Sequence, residues 1–152
     1  MGQSKSLLIA DYYYSSKKYE LAQKKYEKSL NKHSNKDFKE SIYFHLGECN
    51  RILHDTIIAE YYNQCIDLNK KSTSCKNSCE TLKKIKRISY CYFYLKEYER
   101  AERNFKMYYR VKKDDYELNK FYMQCLTDQG KQKEANEIRN EMIETFKSEV
   151  NK

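Results

Sequence analysis

Basic and aromatic side chains follow one another in the middle of this 152-residue chain. Between Lys70 and Arg87 there are seven basic residues and a single acid, Glu80. Tyr90 and Tyr94 follow at helical spacing. Ammonium and guanidinium groups pair with carboxylates, and tyrosine rings add apolar contact, so this combination suits an extended acidic peptide or a terminal carboxylate. These residue types therefore indicate binding of a partner molecule.

Nucleophiles, general bases and metal ligands are present, but none has a functional spacing. Cys75 and Cys79 could form half of a metal site, yet a structural zinc needs about four ligands and no His lies near them. His33, His45 and His54 fit no helix-borne metal motif and pair with no Cys or Ser nucleophile. Three scattered Gly cannot form a phosphate-binding loop. We expect no enzymatic activity, no cofactor and no metal.

The overall charge favours acidic partners in general. Lys and Arg number 30 and Asp and Glu number 22, which gives a net charge of +8. Binding of RNA is an alternative, but the acids are interleaved with the bases, a pattern typical of ion pairs on helix surfaces. The short apolar run at 7–9 is neither a signal region nor a membrane span. We expect a cytoplasmic protein whose six Cys are reduced thiols.

The N-terminal residues 1–6 fit the pattern for N-myristoylation, with Gly2 as the acceptor and Ser6 in the expected place. One acyl chain gives only marginal membrane binding, and the nearby lysines could supply the second signal. A membrane-peripheral scaffold tethered through Gly2 is therefore the alternative function. The pattern also has two simpler origins, since Gly2 could be a chance residue and Ser6 could begin a helix.

The absence of Pro and the scarcity of Gly predict an all-α protein, because a β protein of this length needs turn residues. Eight helices are predicted near 4–15, 19–32, 37–52, 56–69, 80–95, 98–112, 114–128 and 131–149. Start signals precede three of them: Asn35 and Asp37 for the third, Asp55 for the fourth and Asp114 for the seventh. The polar stretch 70–79 is predicted to be a loop.

One short sequence motif, which we call the repeated motif, occurs twice in the chain. Tyr19, Ala22 and Tyr26 follow a polar turn in the same way as Tyr98, Ala101 and Phe105. Ala135, in a fainter copy, lies 34 residues after Ala101, and another faint copy runs through 58–62. Other residues recur at the same places: Ile9, Ala10, Tyr13, Tyr43, Leu46, Gly47, Ile88, Ser89 and Tyr92. In these residues the chain resembles the tetratricopeptide repeat family, whose unit is a 34-residue helix–turn–helix.

The resemblance implies a right-handed superhelical stack of antiparallel helix pairs in a single domain, 1–152. Its repeats fall at about 4–34, 37–69, 80–113 and 114–149. First helices line the groove of such a stack. Groove-facing residues implied here are Phe44, His45, Glu48, Arg51, Lys83, Lys86, Arg87, Tyr90, Tyr94, Lys120 and Gln124. The peptide-binding set predicted among them is Arg51, Lys83, Lys86, Arg87, Tyr90 and Tyr94.

The predicted function is that of a protein–protein interaction adaptor that docks an acidic or extended segment of a partner. Some members of the family clamp the acidic tails of heat-shock chaperones. Lys83 and Arg87 match the clamp's third-repeat pair, whereas Leu7, Asp11 and His45 depart from it. We rank this clamp and RNA binding below the adaptor and the membrane scaffold. Self-association through an end of the stack is also open, although the acidic last helix is expected to act as a polar cap.

Overall fold

The computed structural model describes residues 5–54, 59–70 and 78–150, and regular structure in these ranges is helical throughout, without a strand. The helices are α1 (Lys5–Ser15), α2 (Tyr19–Leu30), α3 (Lys36–His54), α4 (Ala59–Lys70), α5 (Ser78–Tyr94), α6 (Tyr98–Tyr109), α7 (Tyr116–Asp128) and α8 (Gln132–Val150). The all-α prediction is confirmed. Every predicted end lies within three residues of these bounds.

Side-chain caps explain where two of the helices begin. The Asn35 side chain accepts a hydrogen bond from the Asp37 N–H at 2.8 Å, so the start signal predicted at Asn35 is confirmed. Asp37, the other predicted signal, lies in the first turn of α3. For α7 the cap is Asp115, which accepts from the Leu118 N–H at 3.1 Å. The predicted start signal, Asp114, lies one residue before the observed cap, because aspartate is a favourable N-cap residue at either position. Asp55 lies outside the described residues.

The helices form two compact units, residues 1–75 and 76–152. In the first unit α2 packs on α1 and on α3, and α3 packs on α4. In the second unit each of α5, α6 and α7 packs on the next helix, and α5 also contacts α7. Packing between consecutive helices is consistent with an α-solenoid. The single domain of 1–152 stays a prediction. Most of the predicted loop 70–79 lies outside the described residues, and its two ends belong to α4 and α5.

Within the described residues, the repeated motif coincides with a turn that occurs three times. Lys17, Lys96 and Gly130 follow α1, α5 and α7 with φ of 58°, 60° and 76°. Each donates its N–H to the carbonyl three residues earlier, and the next residue donates to the carbonyl five residues earlier. These two bonds form a Schellman motif. Five residues after each turn stands a fully buried alanine: Ala22, Ala101 and Ala135. The repeat therefore specifies both the turn and a small, fully buried residue in the helix that follows it.

The first unit contains a close glycine–tyrosine contact between two helices and a fully buried tyrosine in its core. Gly47 on α3 faces Tyr62 on α4 so closely that a Cβ at Gly47 would lie 2.6 Å from the Tyr62 ring. Tyr26 is fully buried and donates its hydroxyl to Asp11 at 2.8 Å. His45 is partly buried and stacks on the Tyr26 ring at 5.1 Å, so its ring lies against this core. Small residues let the helices approach, as expected from the sequence.

Candidate peptide-binding surface

Helix α5 carries five of the six residues predicted to bind a peptide. Lys83, Arg87, Tyr90 and Tyr94 are separated by four, three and four residues, which places them along one side of the helix. We call this stripe the α5 face. Lys86 lies beside it, one turn after Lys83 and one turn before Tyr90. Since a single helix positions all five residues, their proximity depends on no other element.

An aromatic cluster forms where the C-terminal half of α5 meets α7. The Phe121 ring lies 5.0 Å from that of Tyr90, 5.4 Å from Phe93 and 6.1 Å from Tyr94. Tyr90 and Tyr94 stack on each other at 6.4 Å. All four rings are only partly buried. Partly exposed rings of this kind are enriched where proteins bind partners, because they bury much apolar area with little loss of entropy.

Two cations of the α5 face share one carboxylate. Glu80 lies 4.0 Å from the Lys83 ammonium and 3.7 Å from the Arg87 guanidinium. The Lys83 side chain is 63% exposed, whereas that of Arg87 is 13% exposed. An exposed pair such as Lys83–Glu80 contributes only about 0–1 kcal/mol, so a ligand carboxylate can replace Glu80 there. Lys83 is the accessible cation of the face, and Arg87 presents little surface.

Lys86 is engaged in a network that joins three helices. Its ammonium pairs with Asp115, whose carboxylate also accepts the Tyr108 hydroxyl at 2.8 Å and caps α7. Burial on its own raises the pKa of Asp115, but hydrogen bonds from Lys86, Leu118 and Tyr108 outweigh it and the pKa is lowered. Burial and the bond to Asp115 raise the pKa of Tyr108. Lys86 therefore links α5 to α6 and α7.

Arg51, the sixth predicted residue, belongs to the first unit. Its guanidinium forms two hydrogen bonds with Glu48, at 3.2 and 3.0 Å. The Tyr62 hydroxyl donates to the same carboxylate at 2.6 Å, and Glu48 is 8% exposed. Within its unit the Tyr62–Glu48 bond joins α4 to α3, and Arg51 holds the Glu48 carboxylate that accepts it. Its membership in the peptide-binding set stays a prediction.

The sequence also drew attention to Gly2 as a lipidation site and to Cys75 and Cys79 as half of a metal site. Gly2 and Cys75 lie outside the described residues. Cys79 is exposed, whereas Cys49 and Cys125 are buried, and burial raises the pKa of each of these two thiols to about 12. Within 5–54, 59–70 and 78–150, no group of three or more His, Cys, Asp or Glu side chains could hold a metal. No helix in those same ranges is long and apolar enough to cross a membrane.

No protein-family model matches the sequence, and no curated protein matches it. Membership of the tetratricopeptide repeat family therefore stays a prediction that depends on the repeated residues.

Sequence reasoning missed two residues that shape the surface. Phe121 stands 34 residues after Arg87, at the same place in the next helix pair, and this period was the available signal. Asp115 was one residue from the predicted cap, and its bonds to Lys86 and Tyr108 are tertiary contacts without a local signal. Both residues lie where α7 meets α5 or α6.

Proposed function

We propose that this protein is a non-enzymatic helical-repeat adaptor that binds an acidic or extended segment of another protein. The observation that carries the proposal is the partly exposed aromatic cluster of Tyr90, Phe93, Tyr94 and Phe121 beside the accessible cation Lys83. Ring faces offer apolar contact to an extended chain, and the ammonium offers a partner for its carboxylates. These two chemistries side by side suit a peptide better than a small substrate.

We further propose the tetratricopeptide-like form of the stack, a right-handed superhelix of antiparallel pairs. Three Schellman turns and three buried alanines in the same register support it. In that form α5 and α7 are first helices, so the α5 face and Phe121 line the concave side. Lys120 precedes Phe121 on α7 and is 66% exposed, which makes it the second cation available to a ligand.

Docking involves exchange of ion pairs. A carboxylate of the partner displaces Glu80 from Lys83 or Glu117 from Lys120, and both of these pairs are long, at 4.0 and 3.9 Å. Since the displaced pairs are exposed and weak, the exchange costs little. Lys86 acts mainly by holding α5 against α7 through Asp115, and Arg87 presents little surface to a ligand. In this proposal the affinity comes from apolar contact with the aromatic rings. The charges set the orientation of the peptide and its rate of association.

The test is affinity capture of partners at moderate salt, with the wild type compared to Lys83→Glu/Lys120→Glu and to Tyr94→Ala. The matched control is Lys24→Glu/Lys28→Glu on α2, which makes the same change of charge at two exposed lysines of the first unit. We expect both surface variants to lose captured partners that the control retains. Equal recovery by all four proteins would refute the surface.

A further inference from the structure

The last helix exposes an apolar face that the acidic composition of its sequence does not suggest. Ile143 is 45% and Phe146 57% exposed on α8. Together with Tyr116 and Met142 they line an open apolar hollow of about 460 Å³. We call Met142, Ile143 and Phe146 the α8 face. The expected polar cap therefore covers only part of this helix.

The register of the repeat indicates what such a face binds. Because Lys96 and Gly130 occupy the same turn, residues of α6 correspond to residues of α8 that stand 34 positions later. Ile143 then corresponds to Tyr109, which is 9% exposed because its ring packs on Tyr122 of α7 at 6.0 Å. At this position α6 receives the first helix of the following pair. Ile143 occupies the same docking position without its helix. Phe146, one turn later, extends this apolar surface beyond the part of α8 that corresponds to α6.

The first helix of the chain exposes the matching surface. Lys17 and Gly130 occupy the same turn 113 residues apart, so Tyr12 of α1 corresponds to Cys125 of α7. Cys125 is fully buried and reaches the Tyr98 carbonyl of α6 at 3.3 Å, whereas Tyr12 is 64% exposed. Leu8, one turn earlier, is 54% exposed. We call Leu8, Ile9 and Tyr12 the α1 face.

Charge also favours contact between the two surfaces. Residues 5–30 of α1, α2 and their turn contain six Lys and three acids, a net charge of +3. Residues 132–150 of α8 contain three bases and five acids, a net charge of −2. Opposite charge around two apolar faces steers association between them and disfavours contact of either face with its own copy.

We propose that the α8 face binds the α1 face of a second copy of this chain, with α1 seated on α8 as α7 is seated on α6. The interface is heterologous, since two different surfaces meet. An assembly that does not close into a ring keeps one face of each kind open, so it can grow beyond the dimer.

Sedimentation velocity over roughly 1–500 µM tests this proposal with the variants Tyr12→Glu and Phe146→Glu, each of which places a charge in one face. We expect the wild type to form species larger than a dimer as concentration rises. Each variant alone is expected to stay monomeric, with the dissociation constant raised more than about tenfold. An equimolar mixture of the two variants should form dimers and nothing larger, because it contains one intact face of each kind.

The control is Val111→Glu, which replaces a 63% exposed apolar residue just after α6 and should behave as the wild type does. Far-UV circular dichroism checks the helix content, and Tyr12→Ser and Phe146→Ser take the place of any variant that loses helix. A monomeric wild type would overturn the proposal. So would association that survives Tyr12→Glu but not Phe146→Glu, because this result indicates contact between two α8 faces. Absence of dimers in the mixture would overturn it as well.

Discussion

Gly47→Ala is the substitution whose effect the structure determines most directly. The added Cβ would lie 2.6 Å from Cε1, 2.9 Å from Cδ1 and 3.1 Å from Cζ of Tyr62. That ring is fully buried, and its hydroxyl donates to Glu48 at 2.6 Å. Glu48 in turn holds Arg51. The ring cannot withdraw from the new methyl group without disturbing this hydrogen bond.

The size of the effect follows from three contributions. Overpacking of a buried contact costs about 1–3 kcal/mol, and the complete burial of Tyr62 favours the upper part of that range. Weakening of the hydroxyl–carboxylate bond adds about 1–2 kcal/mol. Alanine offsets about 1 kcal/mol through its helix propensity. We therefore expect the free energy of unfolding to fall by about 2–4 kcal/mol.

Urea unfolding monitored by circular dichroism measures this change, and a double-mutant cycle shows its cause. In a Tyr62→Leu background the clash is absent, so Gly47→Ala should be neutral or should stabilise the protein by up to about 1 kcal/mol. Equal destabilisation in both backgrounds would show that Tyr62 is not responsible. A stable Gly47→Ala single variant would refute the close approach of α3 and α4.

Three other perturbations probe the turn, the network and the thiols. Lys96→Gly should raise the free energy of unfolding by about 0.5–1 kcal/mol in urea unfolding, because Lys96 has a φ of 60° that glycine adopts without strain. Asp115→Ala should lower it by about 2–4 kcal/mol in the same assay, since the α7 cap and the bonds to Lys86 and Tyr108 are lost. Because the pKa of Asp115 is lowered in the folded protein, its charge stabilises the fold fully above the unfolded-state pKa of about 4. Unfolding measured over a range of pH should therefore show the difference in free energy of unfolding between wild type and Asp115→Ala shrinking below that value. Mass-mapped alkylation at pH 8 should label exposed Cys79 before buried Cys49, whose pKa of about 12 leaves a thiolate fraction of about 10⁻⁴.

Matched controls accompany these measurements. Gly130→Ala makes the opposite kind of substitution at a turn of the same type. Nothing lies within 4 Å of the Cβ position of Gly130, so a loss of about 1 kcal/mol in the free energy of unfolding would come from the φ of 76° alone. A stabilised Gly130→Ala would show that positive φ carries no strain at these turns. For the network, a stability gap that stays constant down to pH 2 would show that Asp115 contributes nothing through its charge. Labelling of Cys49 at the rate of Cys79 in the folded protein would contradict its burial.

Local sequence was sufficient where one residue type dictates a backbone state. The all-α class followed from the absence of Pro and the scarcity of Gly, and the cap at Asn35 followed from its side-chain chemistry. The repeated motif predicted the buried alanines, because close helix packing needs small residues at fixed intervals. It did not reveal that Lys17 and Lys96 adopt the conformation of Gly130, since lysine has no preference for it.

The surface was predicted only as a set of residue types. Spacing along one helix placed Lys83, Arg87, Tyr90 and Tyr94 together, because helical periodicity is a local property. Which of those groups face solvent depended on partners distant in sequence. Asp115 engages Lys86 from 29 residues away, and Phe121 meets Tyr90 from a different helix.

The sequence by itself determined the helices, their number within the described residues, the 34-residue period and the concentration of positive charge in the middle of the chain. Tertiary structure decided that Lys86 is engaged, since its ion pair depends on where α7 brings the Asp115 carboxylate. It also decided that Ile143 and Phe146 on α8 stay uncovered. Periodicity specifies the face of a helix that is apolar, but only packing shows whether another helix covers that face.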